Sequence, residues 1–250
     1  MSRYHETYAR WKEDPPAFWA EASSAIDWVK PCTDVYARVD GLDGWFVGAE
    51  CNTCWNAVDR HVKAGHGGRL AVIYDSPITG TKQTSTYNEL LDEVSTLAAA
   101  LEDLGIRKGD RVILYMPMIP QALFAMLACA RLGAIHSVVF GGFAPPELAT
   151  RINDAKPKAI LTASCGIEPG RVIAYKPLLD QALEIAAHKV EACILFQRAQ
   201  VTAELTPGRD HDWEDICRVA KGFGRKADCV SVKATDPLYI LYTSGTTGQP

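Results

Sequence analysis

The chain has 250 residues, 48% of them apolar and 22% charged, the make-up of a folded globular protein rather than a disordered one. A net charge of −4 gives no global field for nucleic acid or an anionic membrane, so any anion site has to be local. The start, Met1-Ser2-Arg3-Tyr4-His5-Glu6, lacks the basic-then-apolar order of a secretory signal, and the apolar run from Ala122 to Ala130 is too short to span a bilayer. A cytosolic location is expected.

Residues 3 to 20 set Tyr4, Tyr8, Trp11, Phe18 and Trp19 among charges, which predicts an amphipathic helix interrupted near Pro15-Pro16. Residues 31 to 45 show no regular period, and the N-terminal stretch reads as an extension wrapped on a body. Residues 69–74 and 83–87, with turn-forming Ser76-Pro77-Ile78-Thr79-Gly80 between them, predict a hairpin. Asn88 is the expected N-cap of a helix whose apolar positions run from Leu90 to Leu104 at helical spacing, with Gly105 at C′. Strands are predicted at 111–116, 135–140, 159–163 and 192–196, helices at 120–132, 146–155 and 176–187, and a loop at 202–209. Short apolar strands alternating with helices predict an α/β fold, a largely parallel sheet with helices on both faces. Leu238-Tyr239-Ile240-Leu241-Tyr242 is a last apolar run, expected to be a buried strand.

Three segments carry candidate chemistry. Thr243, Ser244, Gly245, Thr246, Thr247 and Gly248 offer backbone N–H groups and hydroxyls with little obstruction, which suits phosphate oxygens. An ordinary polar turn is the other reading, and the absence of Lys after Gly248 rules out a Walker A loop. Phe140-Gly141-Gly142 follows a strand, so an aromatic face for a base and glycines that admit close approach meet there; residue type alone favours a core phenylalanine and a turn. Glu168-Pro169-Gly170-Arg171 is a turn that delivers one Arg, either a phosphate ligand or a solvated side chain. Cys51 and Cys54 form the one Cys-x-x-Cys among eight cysteines, with His61 and His66 nearby; buried free thiols are favoured over a metal or redox role. His136 reads as a packed core histidine, and no catalytic nucleophile, acid or base is identifiable in the chain.

Several long motifs in order resemble one family. "YTSGTTGQP" (242–250) is similar to the phosphate loop of the adenylate-forming acyl-CoA synthetases. "NTCWNAVDRHV" (52–62) and "GIRKGDRVILYMPMIPQALFAMLACARLGAIHSVVFGGF" (105–143) resemble the acetyl-CoA and propionyl-CoA synthetase branch, and "GIEPGRVIAYKPLLDQAL" (166–183) is most similar to its propionyl-CoA members. The resemblance implies the N-terminal part of an adenylate-forming large domain, with residues 1–60 as an extension of acetyl-CoA-synthetase type and 61–250 as the first part of the synthetase domain. It implies ATP, Mg²⁺ and CoA as cofactors and a short-chain carboxylate as substrate. The carboxylate attacks the α-phosphate of ATP to give an acyl-adenylate and pyrophosphate, and the CoA thiol then displaces AMP.

Carried over residue by residue, the resemblance places Thr243 to Gly248 on the ATP phosphates, Glu168, Pro169, Gly170 and Arg171 in a CoA-contact segment, and Phe140, Gly141 and Gly142 beside the CoA adenine. Glu168 departs from the pattern, because acetyl-CoA synthetases often have a second Arg there. The family's acyl pocket, adenine contacts and mobile C-terminal domain with its catalytic Lys are expected beyond Pro250. The leading expectation is therefore part of a propionate–CoA ligase, with acetate–CoA ligase, a non-catalytic CoA-binding module and a structural or interaction protein that keeps the fold as alternatives.

Overall fold

A computed structural model describes residues 2–243. Ser244 to Gly248, five of the six candidate phosphate-loop residues, lie outside the described residues.

The chain begins with α1 (Arg3–Glu13) and α2 (Pro15–Ala22), split where Asp14 caps the second helix through Oδ1 to the Ala17 N–H at 3.0 Å. Neither helix buries a residue; α2 touches the next unit through ring edges, Trp19 against Trp45 at 6.3 Å. The stretch read as irregular is a hairpin, β1 (Asp34–Val39) and β2 (Leu42–Val47). Asp40 and Gly41 both take positive φ, 53° and 81°, as a two-residue turn between right-twisted strands requires. The Asp-Gly pair was the overlooked signal. β3 (Glu50–Cys51) leads into a wide-wound helical stretch from Cys54 to His66, and the predicted hairpin follows as β4 (Leu70–Ser76) and β5 (Thr81–Thr86).

α3 (Tyr87–Asp103) is capped by Thr86, not Asn88: Thr86 Oγ1 accepts from the Glu89 N–H and Glu89 Oε2 accepts from the Thr86 N–H at 2.7 Å. The reciprocal box satisfies two orphan donors, where a cap at Asn88 would satisfy one. Asn88 sits inside the first turn against Gly67, and Gly105 takes the expected left-handed C′ conformation.

The body continues as β6 (Arg111–Met116), α4 (Pro120–Leu132), β7 (Ile135–Phe140), α5 (Pro145–Ala155), β8 (Ala159–Ala163), the hairpin β9 (Cys165–Glu168) and β10 (Arg171–Ala174), α6 (Tyr175–Ile185), β11 (Ala192–Phe196), β12 (Asp210–Asp212), α7 (Trp213–Gly222) and β13 (Val232–Lys233). The central sheet is parallel throughout, in the order β12-β11-β8-β6-β7. Alternation within its strands divides two cores. Val112, Leu114, Leu161 and Ile194 face α3, α4 and α7, while Ile113, Tyr115, Ile160 and Leu195 face α5 and α6.

Leu238–Tyr242 is not a buried strand. It runs beside β7 through Ile240 N–H to His136 O at 2.9 Å and Ser137 Oγ to Ile240 O at 3.1 Å, with Tyr239 and Leu241 exposed. Among the described residues nothing pairs its outer edge, so an apolar run that reads as core is half-covered. Tyr242 is pinned to α5 by its hydroxyl on Asp154 Oδ2 at 2.6 Å and by Arg151 against its ring.

Candidate functional site

The sheet starts at β6, steps outward to β7, then returns to the other side of β6 and proceeds through β8, β11 and β12. The carboxyl ends of β6 and β8 therefore flank the point where chain direction across the sheet reverses, the usual ligand crevice of open α/β sheets. A cleft of about 530 Å³ lies there. Its walls are the β4–β5 turn, the segment after β6 from Pro117 to Ile119, the end of β7 and the β9 strand, with Arg198 beyond β11.

Phe140, Gly141 and Gly142 stand on one wall, and Phe140 is 67% exposed rather than core. The reason is in the register: Val139 takes the buried position, so its neighbour turns outward as the chain leaves the sheet. The turn is closed by the Phe143 N–H on Phe140 O at 3.0 Å and held from below by the Tyr115 hydroxyl donating to Phe143 O at 3.0 Å. Burial pushes the Tyr115 phenol up to about 12, so it remains a donor. Phe143 packs edge-on against Phe140, with the Arg151 guanidinium over its ring at 4.6 Å.

Tyr175 forms part of the floor. A Cβ on Gly141 or on Gly166 would run into its ring and hydroxyl, so both glycines are required by the side chain lying between them. Arg171 is not a free side chain: its Nε and Nη2 both donate to Glu168 Oε2, at 2.8 and 2.5 Å, across the turn made by Pro169 and Gly170. The departure noted at Glu168 thus has a direct consequence, since the carboxylate occupies the guanidinium expected to meet phosphate. Thr243 is exposed at the end of the tail beside β7, and Leu241 just before it lines the cleft.

Two features escaped the sequence reading. Arg198 lines the cleft with Nη1 on Cys165 O at 3.1 Å, while its backbone N–H donates to Ser164 Oγ at 2.8 Å. Its place, two residues past a strand end, was the available signal. The second is a buried cluster behind the sheet. Cys54 does not meet Cys51; its sulfur lies with Cys229 and Asp59, each thiol facing Asp59 Oδ2, at 3.9 and 3.7 Å. Arg131 Nη1 bonds both Asp59 oxygens, at 2.9 and 2.8 Å. The Cys229 thiol donating toward Cys54 lowers the pKa of Cys54, helped by Arg131, and the same bond raises that of Cys229. Among the described residues this is the one group of three potential metal ligands, and its sulfurs do not suit Mg²⁺. Arg131 already supplies the cation there, so the cluster reads as a structural ion pair with two thiols.

His136 is packed as expected, with Nδ1 buried and without a partner among the described residues, and its pKa lowered by burial. A second cleft, beside α6, is lined by Lys176, Asp180 and Thr206, whose charges are mutually satisfied: Lys176 Nζ meets Asp180 at 2.5 Å and Asp210 at 3.0 Å.

The site thus combines an exposed ring with a glycine pair packed against Tyr175 and Phe140 at a sheet's carboxyl end, and Glu168 brings in the start of the turn whose Arg171 stands outside the lining. A sequence model of the AMP-binding enzyme family matches residues 58–250, and one of the acetyl-coenzyme A synthetase N-terminus matches residues 4–57. The chain belongs to the AMP-binding enzyme family. The chain is 51% identical over 251 residues to the human mitochondrial acyl-CoA synthetase short-chain family member 3, covering 100% of this chain and 36% of that protein. It is 42% identical over 261 residues to acetyl-coenzyme A synthetase of Rhizobium rhizogenes, covering 100% and 39%. An uncharacterized protein of Pseudomonas aeruginosa is 53% identical over 248 residues, 99% of this chain and 39% of that one. The fold matches acetoacetyl-CoA synthetase from Streptomyces lividans with a TM-score of 0.82 at 27% identity, covering 96% of this chain and 36% of that structure. The chain therefore spans somewhat over a third of the length of these relatives, and the α/β architecture is that of their N-terminal region.

Proposed function

We propose that this chain is the CoA-facing part of an AMP-forming short-chain acyl-CoA ligase that joins propionate to CoA through an acyl-adenylate. The observation that carries it is the cleft at the carboxyl ends of β6 and β8, where Phe140, Gly141 and Gly142 face Glu168 in one wall-to-wall space. The exposed ring suits stacking on adenine, and the exposed Gly142 presents backbone to a nucleotide while Gly141 is held on Tyr175. Arg171 supplies a bidentate phosphate donor once Glu168 releases it. In the first step a carboxylate oxygen bonds to the α-phosphorus while the bond to the β-phosphate breaks and pyrophosphate leaves. In the second, the thiol sulfur bonds to the acyl carbon and AMP leaves. Both steps need positioning and charge neutralisation rather than a covalent bond to the protein.

ATP binding rests on the family and on Thr243 to Gly248; Mg²⁺ rests on the resemblance alone, since no described oxygen cluster fits it. Propionate rests on the segment from Gly166 to Leu183. Acetate is the second reading, favoured by the match to the acetyl-coenzyme A synthetase N-terminus over residues 4–57. A division near residue 60 and a cytosolic location belong to the same proposal, although several relatives are named as mitochondrial.

A protein of the relatives' full length that carries this chain is expected to release AMP and pyrophosphate when given ATP, Mg²⁺, CoA and propionate, with kcat/KM higher for propionate than for acetate. One methylene in an apolar pocket is worth about 1–3 kcal/mol, so a preference of about tenfold or more is expected. ADP as the product would refute the reaction class, and a reversed preference would refute the acid.

A further inference from the structure

Among the described residues that line the cleft, Arg198 is the one cation. Arg171, by contrast, already spends Nε and Nη2 on Glu168. The other carboxylate on the cleft wall, Asp75, pairs outward with Lys82 at 2.9 Å. Arg198 makes no ion pair with a carboxylate among the described residues; its guanidinium gives one bond, Nη1 to Cys165 O, and keeps its remaining donors. Its position is fixed from both sides, by that bond and by the backbone N–H on Ser164 Oγ. Burial raises the pKa of Tyr175, and beside it Glu168 raises and Arg198 lowers it, so both charges stand around the same ring that lines the cleft. An anion entering past Phe140 and Tyr175 therefore meets an anchored guanidinium that still has free donors, with the Glu168 carboxylate on the same wall.

We propose that Arg198 is a specificity-determining residue of this cleft, binding a phosphate at the nucleotide end of the CoA-type thiol. The inference rests on the CoA reading above and adds to it a residue outside the Glu168–Arg171 turn. It also accounts for how a chain with a carboxylate at Glu168 keeps two cations for a polyphosphorylated ligand, one held ready and one released on arrival.

The test compares two thiols on the full-length protein: CoA, and pantetheine, which carries the same thiol arm without any phosphate. The ratio of their kcat/KM values is independent of the fraction of enzyme that folds. Arg198→Ala is expected to reduce kcat/KM for CoA by about tenfold or more, the scale of one charge-assisted bond, and to bring the CoA-to-pantetheine ratio down by the same factor. Arg198→Lys keeps the charge without the fork and should recover part of the ratio. An unchanged ratio in Arg198→Ala, whether or not total activity falls, would overturn the proposal. If the parent protein forms no thioester with CoA, the reading beneath it fails instead.

Discussion

At the scale of single residues, the tightest constraint lies behind the site rather than in it. Asp59 and Arg131 have side chains 11% and 6% exposed and bond through both carboxylate oxygens, while Arg131 Nε also donates to Ala227 O. Beside them Asn52 Nδ2 reaches the carbonyls of Ala130, Arg131 and Val230 at 2.8–3.1 Å. Removing one member of a buried pair strands the other charge without solvent. Asp59→Ala is expected to destabilise the fold by about 3–5 kcal/mol, read by denaturant unfolding. A loss under about 1 kcal/mol would mean that water reaches Arg131 and that the pair is not buried in solution.

At the scale of elements, two junctions can be tested. Asp210 opens β12 and ties it to α6, accepting from Arg209, the Thr206 N–H and Lys176. Enclosure pushes its pKa up, and those bonds together outweigh it, so the carboxyl sits below its ordinary range. A carboxylate with a lowered folded pKa gives stability that is complete above its unfolded value of about 3.9 and drains away as pH falls through the lowered one. Asp210→Asn is thus expected to melt below the parent at pH 7, with the gap narrowing in acid; a gap that widens below about pH 4 would contradict the assignment. The second junction is the capping box of α3. Thr86→Ala should cost about 1 kcal/mol, and full stability in that variant would show that Asn88 can take over as the cap.

These elements also show what was legible beforehand. The inner strands were legible as short apolar runs because both their faces are covered, and α3 to α6 because each lays an apolar face on the sheet. α7 was missed although Asp212 caps it through the Glu214 and Asp215 N–H groups; it is only ten residues long, and its apolar residues alternate with charges. The cap at Asn88 failed because a reciprocal partner three residues on outranks a good cap residue alone. Residue type placed Phe140 in the core, and only the register of β7 turns it outward.

At the scale of the whole molecule, the site was visible in pieces but not as a space. Phe140 and Glu168 are far apart in sequence, and what joins them is the order of β7, β6 and β8, which no local pattern encodes. The bond between Glu168 and Arg171 was equally hidden, since spacing across a two-residue turn permits contact without requiring it. Arg198 was invisible because a lone Arg after a strand is common on any surface.

The pairing of β3 with β13 sets Cys51 opposite Val232, and Asn52 is tied to Val230, so the seam joins segments roughly 180 residues apart. During synthesis β3 leaves the ribosome early, bridged by Glu50 to Lys30 on one side, and its other edge waits for β13 until the far side of the sheet domain has been made. At about 5–20 residues per second that interval is about 10–40 s. Until then Cys54 and Asp59 lack both Cys229 and the strand beside it, and Arg131 joins them only partway, so this stretch is where a nascent chain leaves a thiol and a carboxylate uncovered for longest.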